Sequence, residues 1–334
     1  MHFSALRTNT NSIVTLIERQ PAPPMPRRRT KRQAQSAIYH THEQSPLVYS
    51  YRSTANERHP TRNEDSILID EMTGLFAVFD GVGGSSAGEV ASQTAVQAAT
   101  QTWRSMVRQH QRRRKGYTML EDCDMYDIAS MLEQLVIEAD DQVRTEGAQR
   151  AGTDDLATTV ALVAFCKQPG TNHYTMVSAH VGDSRIYLLR EQEHLQRLTS
   201  DDGFLTKLIE NEIINEDHAL RIDQAMRVDE LTDIEYRYFR LRGGITQALG
   251  GPITPTVHIN KTTIKPADRI LLCTDGIHDN LTDEEIESVL RNNPRTSAAR
   301  ILVECSRKRS HEDCTQTIRA KPDDMSAIVL TCRF

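Results

Sequence analysis

The apolar stretch that leads into Asp80 constrains this chain most strongly. Residues 75–79, Leu-Phe-Ala-Val-Phe, are predicted to form a buried strand, and Asp-Gly-Val-Gly-Gly follows at 80–84. Such a strand delivers one carboxylate to a turn whose glycines leave the backbone open. The arrangement suits a hard cation, because the carboxylate can bridge metal ions and an unshielded carbonyl can supply a further oxygen ligand. The alternative is an ordinary strand end, where Asp-Gly only makes the turn.

Composition narrows the class of protein. The length of 334 residues allows one large domain or two ordinary ones. No apolar run approaches the roughly 18 residues needed to cross a bilayer, so we expect no membrane span. The six cysteines have no paired spacing, which predicts free thiols and a cytoplasmic location. The net charge of −6 argues against nucleic acid as a partner.

Residues 1–45 differ in composition from the rest of the chain. Four prolines precede a run of arginines and a lysine at 27–32, with no apolar periodicity. This composition is typical of a basic disordered tail. The tail could attach the protein to an anionic surface or a partner, or it could be a solvated extension with no role. From Pro46 the composition is globular, so we predict one domain over residues 46–334.

The order of the predicted elements favours one fold class. Strands are predicted at residues 75–79, 159–165, 174–181, 185–189, 234–241, 269–273 and 327–332. Helices are predicted at residues 87–106, 126–146, 210–217 and 283–306, the last broken near Pro294. Strands come in clusters and helices come in pairs between them, without strict alternation. An antiparallel, layered α+β domain is therefore favoured over a parallel sheet.

Acidic residues recur at the ends of the predicted strands. They are Glu64, Asp65, Asp80, Asp183, Asp275, Asp323 and Asp324. Carboxylates at the ends of neighbouring strands can converge on one edge of a sheet although they are far apart in sequence. A set of oxygen ligands without a His or Cys cluster favours Mg²⁺ or Mn²⁺, and bound dications would relieve the repulsion between the carboxylates. The alternative is a set of unrelated turn and cap aspartates.

The motifs that contain these residues resemble those of a known family. In order they include Asn63-Glu64-Asp65, Asp80-Gly81-Val82-Gly83-Gly84, Ala157-Thr158-Thr159, Gly182-Asp183-Ser184-Arg185, Thr246-Gln247-Ala248-Leu249-Gly250-Gly251, Thr274-Asp275-Gly276 and Asp323-Asp324-Met325-Ser326. This series resembles the metal-dependent protein phosphatases, the type 2C serine/threonine phosphatase family, and especially its bacterial members. The resemblance spans residues 50–334. It implies a four-layer αββα sandwich, with two antiparallel sheets flanked by helices.

The resemblance also implies a metal site with two ions, Mn²⁺ or Mg²⁺, and a third in many family members. Asp80 matches the carboxylate that bridges the two ions. The remaining ligands are matched by Glu64 and the Gly81 carbonyl for one ion, Asp275 and Asp323 for the other, and Asp183 with Asp275 for the third. Asp183 could instead be an aspartate that caps its own turn.

Other catalytic roles follow from the resemblance less directly. Asp65 matches a carboxylate that orients metal-bound water. The arginine that contacts phosphate in the family is replaced by Pro60, so Arg62 or Arg58 is expected to take its role. Val82 stands where eukaryotic members have a histidine, which leaves the proton donor for the leaving group unassigned. A metal-bound water is the first candidate, and two further histidines, His180 and His278, are expected to be structural.

The activity implied by the resemblance is hydrolysis of phosphoserine and phosphothreonine in proteins by a metal-bridging hydroxide that attacks phosphorus in line. The implied partners are phosphorylated proteins, with a serine/threonine kinase or its substrates as natural targets. Two alternatives stay open: a pseudophosphatase that signals by binding, and a phosphatase of one regulator, such as an anti-sigma factor antagonist.

Two features of the chain differ from the family pattern or bear on its specificity. Asp324 stands where the family usually has asparagine. Residues 204–244 correspond to a flap that we expect to govern substrate choice.

Overall fold

Two five-stranded antiparallel sheets form the centre of the fold. The computed structural model describes residues 47–82, 87–113, 125–149, 156–167, 173–313 and 315–333. The predicted tail, residues 1–45, lies outside the described residues, as do Gly83 and Gly84. The strands are β1 (Leu47–Thr54), β2 (Ser66–Asp70), β3 (Leu75–Phe79), β4 (Gly81–Val82), β5 (Ala157–Thr158), β6 (Val160–Lys167), β7 (Tyr174–Val181), β8 (Arg185–Leu189), β9 (Gln196–Arg197), β10 (His258–Ile264), β11 (Arg269–Cys273) and β12 (Met325–Cys332).

The two sheets pack face to face. One has the strand order β1-β12-β11-β8-β9 and the other β10-β7-β6-β3-β2, while β4 and β5 form a small separate pair. Successive side chains of a strand point to opposite faces. In β3, Phe76 and Val78 therefore enter the core between the sheets, and Ala77 and Phe79 enter the core on the other side. This explains why β3 is apolar at every position.

Helices cover the outer face of each sheet. They are α1 (Ala87–Arg113), α2 (Met125–Gln149), α3 (Phe204–Glu210), α4 (Glu216–Asp223), α5 (Asp233–Leu241), α6 (Asp275–His278), α7 (Asp283–Asn292) and α8 (Ala298–Arg309). Helices α1 and α2 pack on the sheet that contains β3, with Trp103 and Leu132 fully buried there. Helices α6 to α8 pack on the other sheet. The predicted α+β sandwich of four layers is confirmed, and no helix in the described ranges has the length and apolar character to span a membrane.

The segment between β9 and β10 contradicts two predictions. Residues 234–241 were predicted as a strand, but they form α5. The Thr232 hydroxyl accepts a hydrogen bond from the Glu235 N–H, and the Glu235 carboxylate accepts one from the Thr232 N–H, which is a complete capping box. The predicted helix over 210–217 is also wrong, because α3 ends at Glu210 and α4 begins at Glu216. Together α3, α4 and α5 enclose a small apolar core of their own.

Cys273, Cys305 and Cys332 are free thiols, as predicted. Cys166, Cys273 and Cys332 are buried and Cys305 is partly buried. Cys123 and Cys314 lie outside the described residues. Each of the three buried cysteines lies in a strand, where a thiol fills space as a small apolar side chain.

Candidate metal centre

Asp80 follows β3 directly and is fixed by two threonines. Its carbonyl oxygen accepts hydrogen bonds from the Thr159 N–H and the Thr158 hydroxyl, both at 2.8 Å. Its own N–H donates to the Thr159 hydroxyl at 3.2 Å. Both threonines belong to a motif that the sequence analysis noted without a role. They hold the backbone so that the Asp80 side chain is presented at the strand end.

Three more aspartates, carried at strand ends of the other sheet, lie near the Asp80 side chain. Asp183 lies in the turn between β7 and β8, Asp275 begins α6 after β11, and Asp323 precedes β12. Since β8, β11 and β12 are neighbours, their ends meet at one edge. The aspartates enclose a cavity of about 210 Å³, lined by Asp80, Gly81, Val82, Asp183, Gly243, Ile245, Asp275 and Asp323. The structure thus brings five of the predicted ligands, including Gly81, to one cavity.

Glu64, Asp65 and Arg62 lie beside this cavity and not on its lining. Asp65 is buried, and its Oδ2 accepts a hydrogen bond of 2.8 Å from the Thr274 hydroxyl. The Glu64 carbonyl accepts a hydrogen bond of 3.1 Å from the Gly81 N–H. This bond joins the loop that carries Glu64 to the turn at Asp80 and Gly81. The Arg62 guanidinium lies 3.3 Å from Glu64 Oε1. The alternative candidate, Arg58, is exposed to solvent.

Gly81 permits a close backbone approach at the site. A Cβ atom at this position would lie 2.1 Å from the Gly88 carbonyl oxygen and 2.6 Å from the Glu64 carbonyl oxygen. Neither neighbour is a side chain that could move aside. The glycine is therefore required so that β4 can pass between the Glu64 loop and the first turn of α1.

The carboxylates of the site repel one another. Burial and then the nearby Asp275 raise the pKa of Asp80 well above its usual range. Burial and Asp275 have the same effect on the pKa of Asp183. The pKa of Asp323 rises to about 7, again through burial and Asp275, although Lys321 opposes the shift. Such a site is stabilised by added positive charge.

The donor set fits a hard divalent cation. All of its side-chain donors are carboxylate oxygens, the ligands that Mg²⁺ and Mn²⁺ take. Two buried oxygens, Asp65 Oδ1 and Glu64 Oε1, accept no hydrogen bond from the described residues. Within the described ranges, however, no three Asp, Glu, His or Cys side chains lie close enough to hold a metal ion as they stand. The aspartates would have to draw together around an ion.

Lys321 is a residue of the site that the sequence analysis missed. Its Nζ lies 2.5 Å from Asp275 Oδ2, 2.8 Å from Asp279 Oδ2 and 3.1 Å from Asp323 Oδ2. The signal available in the sequence was its position two residues before Asp323. A lysine at that spacing indicates nothing by itself, because only the fold shows that its side chain turns back toward the carboxylates.

Asp324 replaces the asparagine that the resemblance led us to expect. It is buried, and its two oxygens accept hydrogen bonds from the Asn56 N–H at 2.5 Å and the Glu64 N–H at 2.6 Å. A carboxylate can satisfy two such donors, and hydrogen bonds to a charged acceptor are strong. Asp324 therefore holds the loop that carries Arg62 and Glu64 against β12.

The two histidines occupy structural positions. His278 is buried, and its Nε2 lies 3.0 Å from the Asp183 carbonyl oxygen. Burial and the nearby Arg185 lower its pKa to about 4. His180 lies in β7, contacts the Ser200 carbonyl at 2.9 Å and stacks on His258.

Comparisons with known proteins identify relatives of this chain. A family model described as protein phosphatase 2C matches residues 52–317. The serine/threonine protein phosphatase PstP of Mycobacterium tuberculosis is 28% identical over 243 residues, which are 72% of this chain and 38% of that protein. The chain thus spans less than half the length of this relative.

Solved structures of PstP share the fold. The crystal structure of the M. tuberculosis protein has a TM-score of 0.62 and 25% identity, over 86% of this chain and 99% of the solved one. The PstP catalytic domain in complex with two manganese ions has a TM-score of 0.61 and 24% identity, with the same coverage.

Proposed function

This chain belongs to the protein phosphatase 2C family, and on that premise we propose that it is a metal-dependent protein serine/threonine phosphatase. The observation that carries the proposal is the convergence of Asp80, Asp183, Asp275 and Asp323 on one cavity. The name of PstP, a serine/threonine protein phosphatase, supports the same activity. We extend it to this chain as a proposal, because the chain spans only 38% of that relative.

Mn²⁺ or Mg²⁺ is the proposed cofactor, which the two manganese ions of the PstP catalytic domain support. When bound, these ions supply Lewis acidity that activates water and neutralises charge on the phosphoryl group. The residues that would hold two ions and a third are Glu64, Asp80, Gly81, Asp183, Asp275 and Asp323.

Other residues of the chain bind and orient the reactants. Asp65 is held by Thr274 and keeps Oδ1 available, so we assign it the orientation of the attacking water. We assign Arg62 to the phosphate, because a guanidinium matches the geometry of phosphate oxygens. Val82 cannot donate a proton, and His278 is buried against the Asp183 carbonyl. We therefore assign no side chain as the proton donor for the leaving alkoxide.

The biological setting is part of the proposal. The substrates would be phosphorylated proteins, including a serine/threonine kinase or its targets. The catalytic domain would comprise residues 46–334, preceded by a basic tail over 1–45. A cytoplasmic location is supported by the free thiols of Cys273, Cys305 and Cys332. Gly243 and Ile245 reach the cavity from the segment that contains α3 to α5, which supports a role for this segment in substrate choice.

A direct assay tests the proposed activity. The purified chain is expected to release phosphate from a phosphothreonine peptide in Mn²⁺ and to fall to background in EDTA, because the carboxylates alone repel a phosphate dianion. Activity that persists fully in EDTA would refute a metal-dependent mechanism. Binding of Mn²⁺ without turnover on any phosphopeptide would instead favour a pseudophosphatase.

Arg62 and Arg58 can be separated by substitution. Arg62→Ala is expected to raise KM for the phosphopeptide by about tenfold or more, because a charge-assisted contact to phosphate is lost. The matched change Arg58→Ala is expected to alter KM by less than about twofold, since this side chain is exposed. Calorimetric Mn²⁺ binding should be unchanged in Arg58→Ala and should still be detected in Arg62→Ala, although that change removes the ion pair with Glu64. A larger effect at Arg58 would transfer the phosphate contact to that residue.

A further inference from the structure

Lys321 places a cation between two proposed metal ligands. Its ammonium bridges Asp275 and Asp323, at 2.5 Å and 3.1 Å. Its side chain is about one third exposed (36%), so a path to solvent remains. The ammonium also lies 2.8 Å from Asp279 Oδ2, so three carboxylates surround it. The side chain is therefore charged at neutral pH.

The backbone of Lys321 is fixed in this position. Asn280, which is fully buried, accepts a hydrogen bond of 3.0 Å from the Lys321 N–H. The amide of Asn280 donates back to the Lys321 carbonyl at 2.8 Å and to the Gly276 carbonyl at 2.9 Å. Lys321 is thus joined to α6, the helix that begins with Asp275. The fixed backbone therefore keeps the Lys321 ammonium within reach of the site's carboxylates.

Asp279 is a further carboxylate partner of the Lys321 ammonium. Its Oδ2 lies 2.8 Å from Lys321 Nζ, and its Oδ1 lies 3.2 Å from the Arg242 guanidinium. Asp279 is absent from the residues that line the 210 Å³ cavity. The lysine therefore contacts two carboxylates of the cavity and one carboxylate outside it. The ammonium can therefore release Asp275 and Asp323 and stay paired with Asp279.

We propose that Lys321 is a built-in cation that competes with a divalent metal ion for Asp275 and Asp323, and that its ammonium stays on Asp279 when the ion binds. The inference rests on the proposed function. A lysine that must be displaced lowers metal affinity and stabilises the metal-free protein.

The test compares Mn²⁺ binding to the full chain and to Lys321→Met by calorimetry. The substitution keeps an unbranched side chain that is one atom shorter and removes its charge. We expect the Kd for Mn²⁺ to fall by about tenfold or more, because the ion no longer displaces an ammonium. Lys308→Met is the matched control, since it makes the same change at an exposed position and should leave Kd within about twofold.

Thermal unfolding separates competition from a structural role. Lys321→Met should lower the Tm in EDTA and widen the gain in Tm on adding Mn²⁺, since tighter binding stabilises the folded state more. A merely structural lysine would lower both values of Tm equally. A Kd in Lys321→Met that is unchanged or weaker would overturn the inference while leaving the metal site standing. Failure of the unaltered chain to bind Mn²⁺ would overturn the proposed function itself.

Discussion

Asp275→Asn is expected to lower Mn²⁺-dependent hydrolysis of a phosphothreonine peptide by about a thousandfold. Asp275 is the carboxylate that most strongly affects its neighbours, since after burial it is the largest cause of the raised pKa of Asp80, Asp183 and Asp323. An amide has nearly the same shape but no charge to offer a cation. The loss should therefore appear in turnover and in calorimetric Mn²⁺ affinity together.

The matched control is Asp141→Asn, the same change at an exposed position of α2. It should retain activity to within about twofold. Thermal unfolding in EDTA should show that Asp275→Asn is folded, because the change removes one of several crowded negative charges. Activity of Asp275→Asn within about tenfold of the unaltered chain, at equal Mn²⁺, would show that this aspartate is not a ligand.

The part of the site that could be predicted from sequence consists of strand ends. Asp80 and Asp275 each follow a short apolar run and precede a glycine, so the local pattern gives both the strand and the turn. The series of motifs adds their relative order and the layered fold. Burial of β3 on both faces is also evident from its unbroken apolar sequence.

Prediction failed where local patterns are ambiguous or the contact is long-range. Residues 234–241 alternate apolar and polar side chains as a strand does, yet Thr232 and Glu235 form a capping box that begins a helix. That short helix buries Phe239 in the core formed with α3 and α4. The role of Lys321 was missed because its contact is long-range. Asp275 lies 46 residues away in sequence, and only the fold brings its carboxylate to the Lys321 ammonium.

Arg185 holds two aspartates of the segment that follows β9, the partly exposed Asp201 and the buried Asp223. Arg185 is 2% exposed, its guanidinium contacts Asp201 at 2.6 Å and Asp223 at 3.2 Å, and it donates to the Tyr187 hydroxyl. Burial would raise the pKa of Asp223, but Arg185, Arg197 and Arg319 hold it well below its usual range. This arginine thus connects β8 to α4 through an ion pair of two buried residues, Arg185 and Asp223.

Arg185→Met should therefore lower the free energy of unfolding by about 3–5 kcal/mol, because it leaves the buried Asp223 carboxylate without its main partner. Arg300→Met, which breaks an exposed pair with Glu304, should cost less than about 1 kcal/mol. A depressed carboxylate pKa gives stability that is present above the unfolded pKa and lost as the pH falls. In urea unfolding with EDTA, the difference between Arg185→Met and the unaltered chain should then shrink as the pH falls from about 5 to about 3. A difference that is constant over this range would mean that the cost comes from packing and not from the paired charges.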